Sequence, residues 1–226
     1  ECAEQTFNRF YANSIASGII NKYPKIKSVF QQWKDKDSAA LLSNLEKNQE
    51  LKAALLQETP WVLEAKDEST RKKNIALLFD MSKLATEKAG TLKKFSEMQT
   101  SNGGFSWFKN GPDDRYITQY ILTSIGHLKK LNALNKDDLQ GLDLLIKKAL
   151  EYLDARNKEE YDQLKKMKAN LKNNNLSASA VQYLYMRSFF TEIPVPSKYM
   201  KAYTHYRDQS VKFWLKNSRY MQGMIA

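Results

Sequence analysis

Cys2 is the lone cysteine among 226 residues, and Gln5 follows it at a spacing that supports one uncommon reaction. If the chain turns at Cys2 and opens a helix near Glu4, the thiol sulfur reaches the Gln5 side-chain amide carbon. Attack there expels ammonia and leaves an internal β-cysteinyl-γ-glutamyl thioester. Such a thioester is an acylating agent: an amine or hydroxyl attacks the former Gln5 carbonyl, and Cys2 departs as a thiolate. The glutamine carbonyl is then the electrophile and the cysteine its leaving group. The plain alternative is a reduced cysteine near a frayed end of the segment, with Glu4 binding the backbone or facing solvent.

A second stretch carries chemistry of a different kind. In Gln99-Thr100-Ser101-Asn102-Gly103-Gly104-Phe105-Ser106-Trp107-Phe108, the Asn-Gly-Gly run predicts a turn with positive φ, and an aromatic trio follows it into an apolar site. Phe105, Trp107 and Phe108 are expected mainly as core and turn residues. A thioester survives only where water is excluded, so Phe7, Tyr11, Phe105, Trp107 and Phe108 are the candidate shields, on chemistry alone. The two histidines, His127 and His205, fall on helix faces, where a structural or solvated role is the commoner one. One cysteine and two histidines exclude a disulfide framework and make a zinc site improbable. No metal and no cofactor are expected.

The elements that must position these residues read as helices throughout. Only eight glycines and five prolines occur, and apolar residues recur every three or four positions. Phe7, Phe10, Tyr11, Ile15 and Ile19 predict one face of a first helix that ends before Pro24. Ile26 to Trp33 continue as a helical piece. Asp37-Ser38 and Asn48 can cap two more, and Thr59-Pro60-Trp61 signals a further helix start. From Asp67 to Gln99 the pattern predicts a long helix or two abutting ones, with Leu84, Leu92, Phe95 and Met98 inward and Gly90 the place where it could break. Asp113-Asp114 can cap a helix whose apolar face is Tyr116, Ile117, Tyr120, Ile121 and Ile125. Leu139 to Leu153 predicts another, followed by a charged helix through Tyr161, Leu164 and Met167. Asn173 to Asn175 is a turn, and Ser177 can cap the helix bearing Val181, Leu184 and Tyr185. Beyond Pro194 and Pro196, aromatic-rich helices carry Tyr199 to Met221.

Bulk composition bounds the function classes. The chain is 42% hydrophobic and 27% charged, ordinary values for a globular protein, and no apolar run reaches the length of a membrane span. Its net charge of +11 comes from lysine pairs mixed with acids along helical patterns. There is no arginine-rich stripe or known nucleic-acid motif, so a solvated lysine-rich surface accounts for the charge and no nucleic-acid partner is expected.

Cys2-Ala3-Glu4-Gln5 resembles the C-x-E-Q thioester signature of the alpha-2-macroglobulin and complement family. Where the best-known members have glycine before the cysteine, this chain has Glu1. The run from Gln99 through Asp114-Arg115-Tyr116-Ile117-Thr118-Gln119-Tyr120 is similar to the Q-x-x-x-G-G-F-S-W-F…Y-I-T-x-Y signature of the family's bacterial members. More loosely, it resembles repeats of terpenoid-cyclase and prenyltransferase toroids. Pro60-Trp61-Val62-Leu63 resembles a short element of the same bacterial members. The resemblance implies an all-α fold, an α/α toroid of helical hairpins. Residues 1–226 would form one thioester-containing domain, truncated at both ends, of a much larger parent protein.

It also implies a broad-spectrum protease inhibitor and not an enzyme. A protease cuts a bait segment elsewhere in the parent, the thioester is unveiled, and a protease lysine amine is captured on Gln5. Target proteases and the parent's other domains would be the partners, in the periplasm or cell envelope of a Gram-negative bacterium, with anchoring through the parent. Some complement relatives use a histidine to pass the acyl group to hydroxyls, but neither His127 nor His205 matches that residue. Two other readings stand beside it. One is a structural or interaction module whose cysteine never forms the thioester. The other is a toroid enzyme, which would need an aspartate-rich or zinc motif that Asp113-Asp114 does not supply.

Overall fold

A computed structural model describes residues 1–23, 25, 26, 28, 29 and 81–226. The expected helices between Phe30 and Phe79, the Pro60-Trp61-Val62-Leu63 element among them, lie outside the described residues. The fold is all-α. The helices are α1 (Ala3–Lys22), α2 (Met81–Ser96), α3 (Arg115–Lys130), α4 (Lys136–Lys166), α5 (Ala178–Arg187), α6 (Ser197–Phe213) and α7 (Arg219–Ile225). The one sheet among the described residues is a two-stranded antiparallel pair, β1 (Phe105–Ser106) and β2 (Asp113–Asp114).

The chain divides into two compact units, one of Glu1–Tyr11 with Ala89–Ala226 and one of Ala12–Lys88. In the smaller unit, Ser14, Ser17, Ile20 and Leu84 are buried, and Asn13 Nδ2 donates to Glu87 Oε2 at 3.2 Å. The larger unit carries both signature stretches. Within it α3 packs on α4 and α5, α4 on α6, and α5 on α6 and α7.

Sequence explains most of the helix ends. Asp114 caps α3 by accepting from the Ile117 N–H at 2.9 Å. Asn135 and Asp138 form a reciprocal capping box at the start of α4, and Ser177 caps α5. Helices α3 and α4 both close in Schellman turns, with Asn132 and Lys168 left-handed at φ 54 each. In each turn the next amide reaches back, Ala133 to Leu128 O and Ala169 to Leu164 O.

Several expectations need correction. The buried side of α1 is Ala3, Phe7, Phe10, Ser14, Ser17 and Ile20, whereas Ile19 is exposed and Tyr11 half-buried. Gly90 does not break α2, which runs through it. The segment expected as two helices after Leu139 is one 31-residue helix, since neither proline nor glycine interrupts it between Leu142 and Lys166. On α3 the core face is Ile117, Ile121, Leu122, Ile125 and Leu128. Tyr116, 56% exposed, and half-buried Tyr120 lie off that face.

A buried ion pair ties α4 to α5. Arg187 donates to both carboxylate oxygens of Asp154, Nε to Oδ1 at 3.0 Å, and its Nη1 donates to Ile193 O at 2.7 Å. The Tyr183 hydroxyl donates to Asp154 Oδ1 at 2.6 Å. Three donors satisfy the carboxylate, which is what a charge buried this deeply requires.

Candidate functional site

Helix α1 begins one residue after Cys2, and its first turn brings Cys2 and Gln5 together. The Cys2 N–H donates to Gln5 Oε1 at 3.3 Å, and the Gln5 N–H faces Cys2 Sγ at 3.5 Å. Thr6 N–H donates to Cys2 O at 3.0 Å, the first bond of the helix ladder. The reciprocal pattern is that of a capping box, with sulfur in the place of a cap hydroxyl and glutamine at the third helical position. A box of this kind holds Sγ and the Gln5 amide group on the same side of the first turn.

Around the turn, Cys2 is half-buried, Gln5 exposed, and Ala3, Thr6 and Phe7 buried. The Thr6 hydroxyl is buried without a hydrogen-bond partner among the described residues. Glu1 is fixed by Arg9 at 2.9 Å, with Lys94 at 3.8 Å. Glu1 thus holds two ionic contacts at the position just before Cys2.

The two signature stretches, about a hundred residues apart in the chain, meet directly. The Ala3 N–H donates to Trp107 O at 2.8 Å. The Phe7 ring lies 5.4 Å from Phe95, which stacks on Phe105 at 4.3 Å. A network built around the glycine turn holds this arrangement. Gln99 Nε2 donates to Gly103 O and to Leu145 O, each at 2.9 Å, pinning the turn to α4. Gly103 has φ 95, and a Cβ there would lie 2.3 Å from Lys148 O. Only glycine fits.

From the same turn, Asn102 Nδ2 donates to Asp113 Oδ1 at 3.0 Å, and the Tyr152 hydroxyl donates to Asp113 Oδ2 at 2.7 Å. The Tyr152 hydrogen bond, with help from Asn102 and Arg156, holds the Asp113 carboxyl below its ordinary range. Asp113 is thus an anchor as well as a neighbour of the cap.

The candidate shields separate into three kinds. Phe7 and Phe105 are buried core. Trp107 is half-buried and stacks on Tyr116 at 6.2 Å, and Tyr11 is half-buried beside Phe7 at 6.5 Å. Phe108, expected in the apolar site, is 62% exposed and belongs to no core.

Two further residues stand beside the turn. The Tyr120 hydroxyl donates to Asn8 Oδ1 at 2.7 Å. Burial pushes that hydroxyl up against the opposing pull of the Asn8 hydrogen bond, and the Glu4 charge adds to the rise. Nothing in the sequence pairs Asn8 with Tyr120.

The histidines stand apart from the turn. His127 Nε2 lies 3.0 Å from the Tyr185 hydroxyl, with the Phe189 ring edge-on at 5.0 Å. His205 packs between Tyr161 and Tyr206, its Nε2 buried without a partner among the described residues. Burial lowers the pKa of both. Among the described residues no cluster of histidine, cysteine, aspartate or glutamate could hold a metal ion. No helix there is long and apolar enough to cross a membrane.

Comparison with family models, with curated proteins and with solved structures finds no match for this chain.

Proposed function

We propose that Cys2 and Gln5 form an internal thioester and that the chain is a covalent-capture domain of the alpha-2-macroglobulin kind, an α/α toroid within a larger inhibitor of proteases. The observation that carries this reading is the reciprocal Cys2–Gln5 contact, docked through Ala3 onto Trp107 of the aromatic turn. Sulfur adds to the Gln5 amide carbon, Oε1 takes up the negative charge, and collapse expels ammonia. The Cys2 N–H already points at Oε1, where that charge develops.

In the capture step a lysine amine of the target adds to the same carbon. The C–S bond breaks, sulfur leaves with the electron pair, the amine loses a proton, and an amide remains. Each molecule reacts once, so this is inhibition and not turnover. With neither histidine at the turn, amines are favoured over hydroxyls as acceptors. The resemblance of the two stretches supports a parent that works in the periplasm or cell envelope.

A second reading has its own observation. The same two contacts are those of an ordinary capping box, and a Cys–Gln box that never expels ammonia would serve only to start α1. Intact mass of the parent protein, with and without methylamine, separates the two. The thioester reading expects a mass one ammonia below the sequence value, then addition of methylamine at Gln5 with a free thiol at Cys2. A mass equal to the sequence value and blind to methylamine overturns it in favour of the structural module. If the thioester forms, Cys2→Ser in the parent abolishes covalent conjugates with a protease; unchanged conjugates reject capture at this site.

A further inference from the structure

A cavity of about 560 Å³ opens between α3, α5 and α7, and neither Cys2 nor Gln5 lines it. Helix α3 is two-faced. Its isoleucine face enters the core, while Tyr116, Tyr120, Thr123, Ser124 and His127 line the cavity. That second stripe recurs at helical spacing over about three turns. A packed helix interface at these positions would be apolar, and an ordinary solvent face on this chain is lysine-rich. Here the stripe carries hydroxyls, rings and one imidazole, all without formal charge at neutral pH. The opposite walls add Gln182 and Tyr185 from α5 and Arg219 and Tyr220 from α7.

The lining has a definite chemical character. Four tyrosine rings provide flat apolar walls with hydroxyl rims, suited to stacking on a ring or covering an acyl chain. His127 is held in place by Tyr185 and caged by Phe189. Among the described residues Arg219 is the one cationic side chain of the lining, and no aspartate or glutamate is part of it. A single guanidinium fork matches a single carboxylate in geometry and in charge. The volume falls within the range of sites for drug-sized molecules.

We propose that this cavity is a binding site for an amphipathic monocarboxylate, with the aromatic or acyl body between the tyrosine rings and the carboxylate on Arg219. The proposal goes beyond the thioester reading and does not depend on it. Tyr220, 72% exposed, is the wall a ligand would cover. Both a free aromatic acid and the C-terminal residue of a peptide offer this chemistry.

The test is a chemical-shift titration of the full chain with N-acetyl-phenylalanine and, separately, with its uncharged amide. The acid is expected to shift the His127 and Tyr220 resonances and to bind about tenfold more tightly than the amide, the usual contribution of a charge-assisted pair. Arg219→Gln should bring the acid down to the level of the amide. Because Arg219 is exposed, the fold should tolerate that change. Ser124→Trp, which fills the cavity from the side of α3 away from the core, should abolish both interactions. Tighter binding of Ala-Ala-Phe than of the acetylated residue would assign the site to peptide ends; equal binding would assign it to free acids. Equal affinity for acid and amide, no shift with either at millimolar concentration, or full binding by the Ser124→Trp variant would overturn the proposal.

Discussion

Gly103→Ala tests the idea that one backbone turn carries the geometry of the candidate site. Two costs follow from the structure. The residue sits at φ 95, and a left-handed backbone costs an L-residue about 1–2 kcal/mol. The new methyl would also lie 2.3 Å from Lys148 O, closer than such contacts occur. Either the turn or α4 must move, and the two hydrogen bonds from Gln99 Nε2 to Gly103 O and Leu145 O are the first to break. At about 1 kcal/mol each, they bring the total to about 3–4 kcal/mol. For a chain of this size that lowers the melting temperature by roughly 6–16 °C.

Gly90→Ala is the matched control. That glycine lies inside α2, and a methyl added to it would meet nothing within 4 Å, so alanine should stabilise by about 0.5–1 kcal/mol. Denaturant unfolding of both variants against wild type reads the difference. A Gly103→Ala protein within about 1 kcal/mol of wild type would refute the account of the turn.

Asp154→Ala strips Arg187 of its buried partner and should cost about 3–5 kcal/mol by denaturant unfolding, whereas Asp154→Leu combined with Arg187→Met should recover much of the loss. Lys168→Gly relieves a left-handed lysine at the end of α4 and should raise stability by about 0.5–1 kcal/mol, seen as a higher melting temperature. Burial lowers the folded pKa of His127 and His205, so the unfolded chain binds protons first. Stability should therefore be full above the ordinary histidine value near 6.5 and fall as pH drops below it. His127→Gln with His205→Gln should flatten unfolding curves between about pH 7 and pH 5, and an unchanged slope would contradict the burial argument.

Much of this was legible because it is local. Asp114, Ser177 and Gly103 act within a few residues of themselves, and cap and turn chemistry names them directly. The start of α1 at Cys2 belongs to the same class. Tyr116 and Tyr120 mislead because ring-bearing residues do not declare which side of a helix is wet. Tyr116 and Tyr120 continue the apolar spacing of α3 yet turn to the cavity. Phe108 follows two inward residues but ends exposed, because the chain bends away through Gly111 to form β2. Ile19 and Ile20 differ by one position, which periodicity cannot resolve when Ser14 and Ser17 are the residues that complete the buried side. The contacts that assemble the candidate site are Ala3 to Trp107, Tyr120 to Asn8 and Gln99 to Leu145. All are long-range, and two of them use backbone atoms that every residue has.

The larger unit is built from Glu1–Tyr11 and Ala89–Ala226, two pieces separated in sequence by the whole of the smaller one. That division sets an order of events during synthesis. Residues 1–11 leave the ribosome ahead of Phe95, Phe105 and Trp107, the residues they dock on, and must wait for them. Closing so long an interval is slow compared with forming α1 itself. On the thioester reading, the reactive bond would therefore be a late product of maturation, made only once the distant half of its housing has arrived. A nascent or unfolded chain would carry an ordinary thiol and amide and pose no acylating hazard to its neighbours.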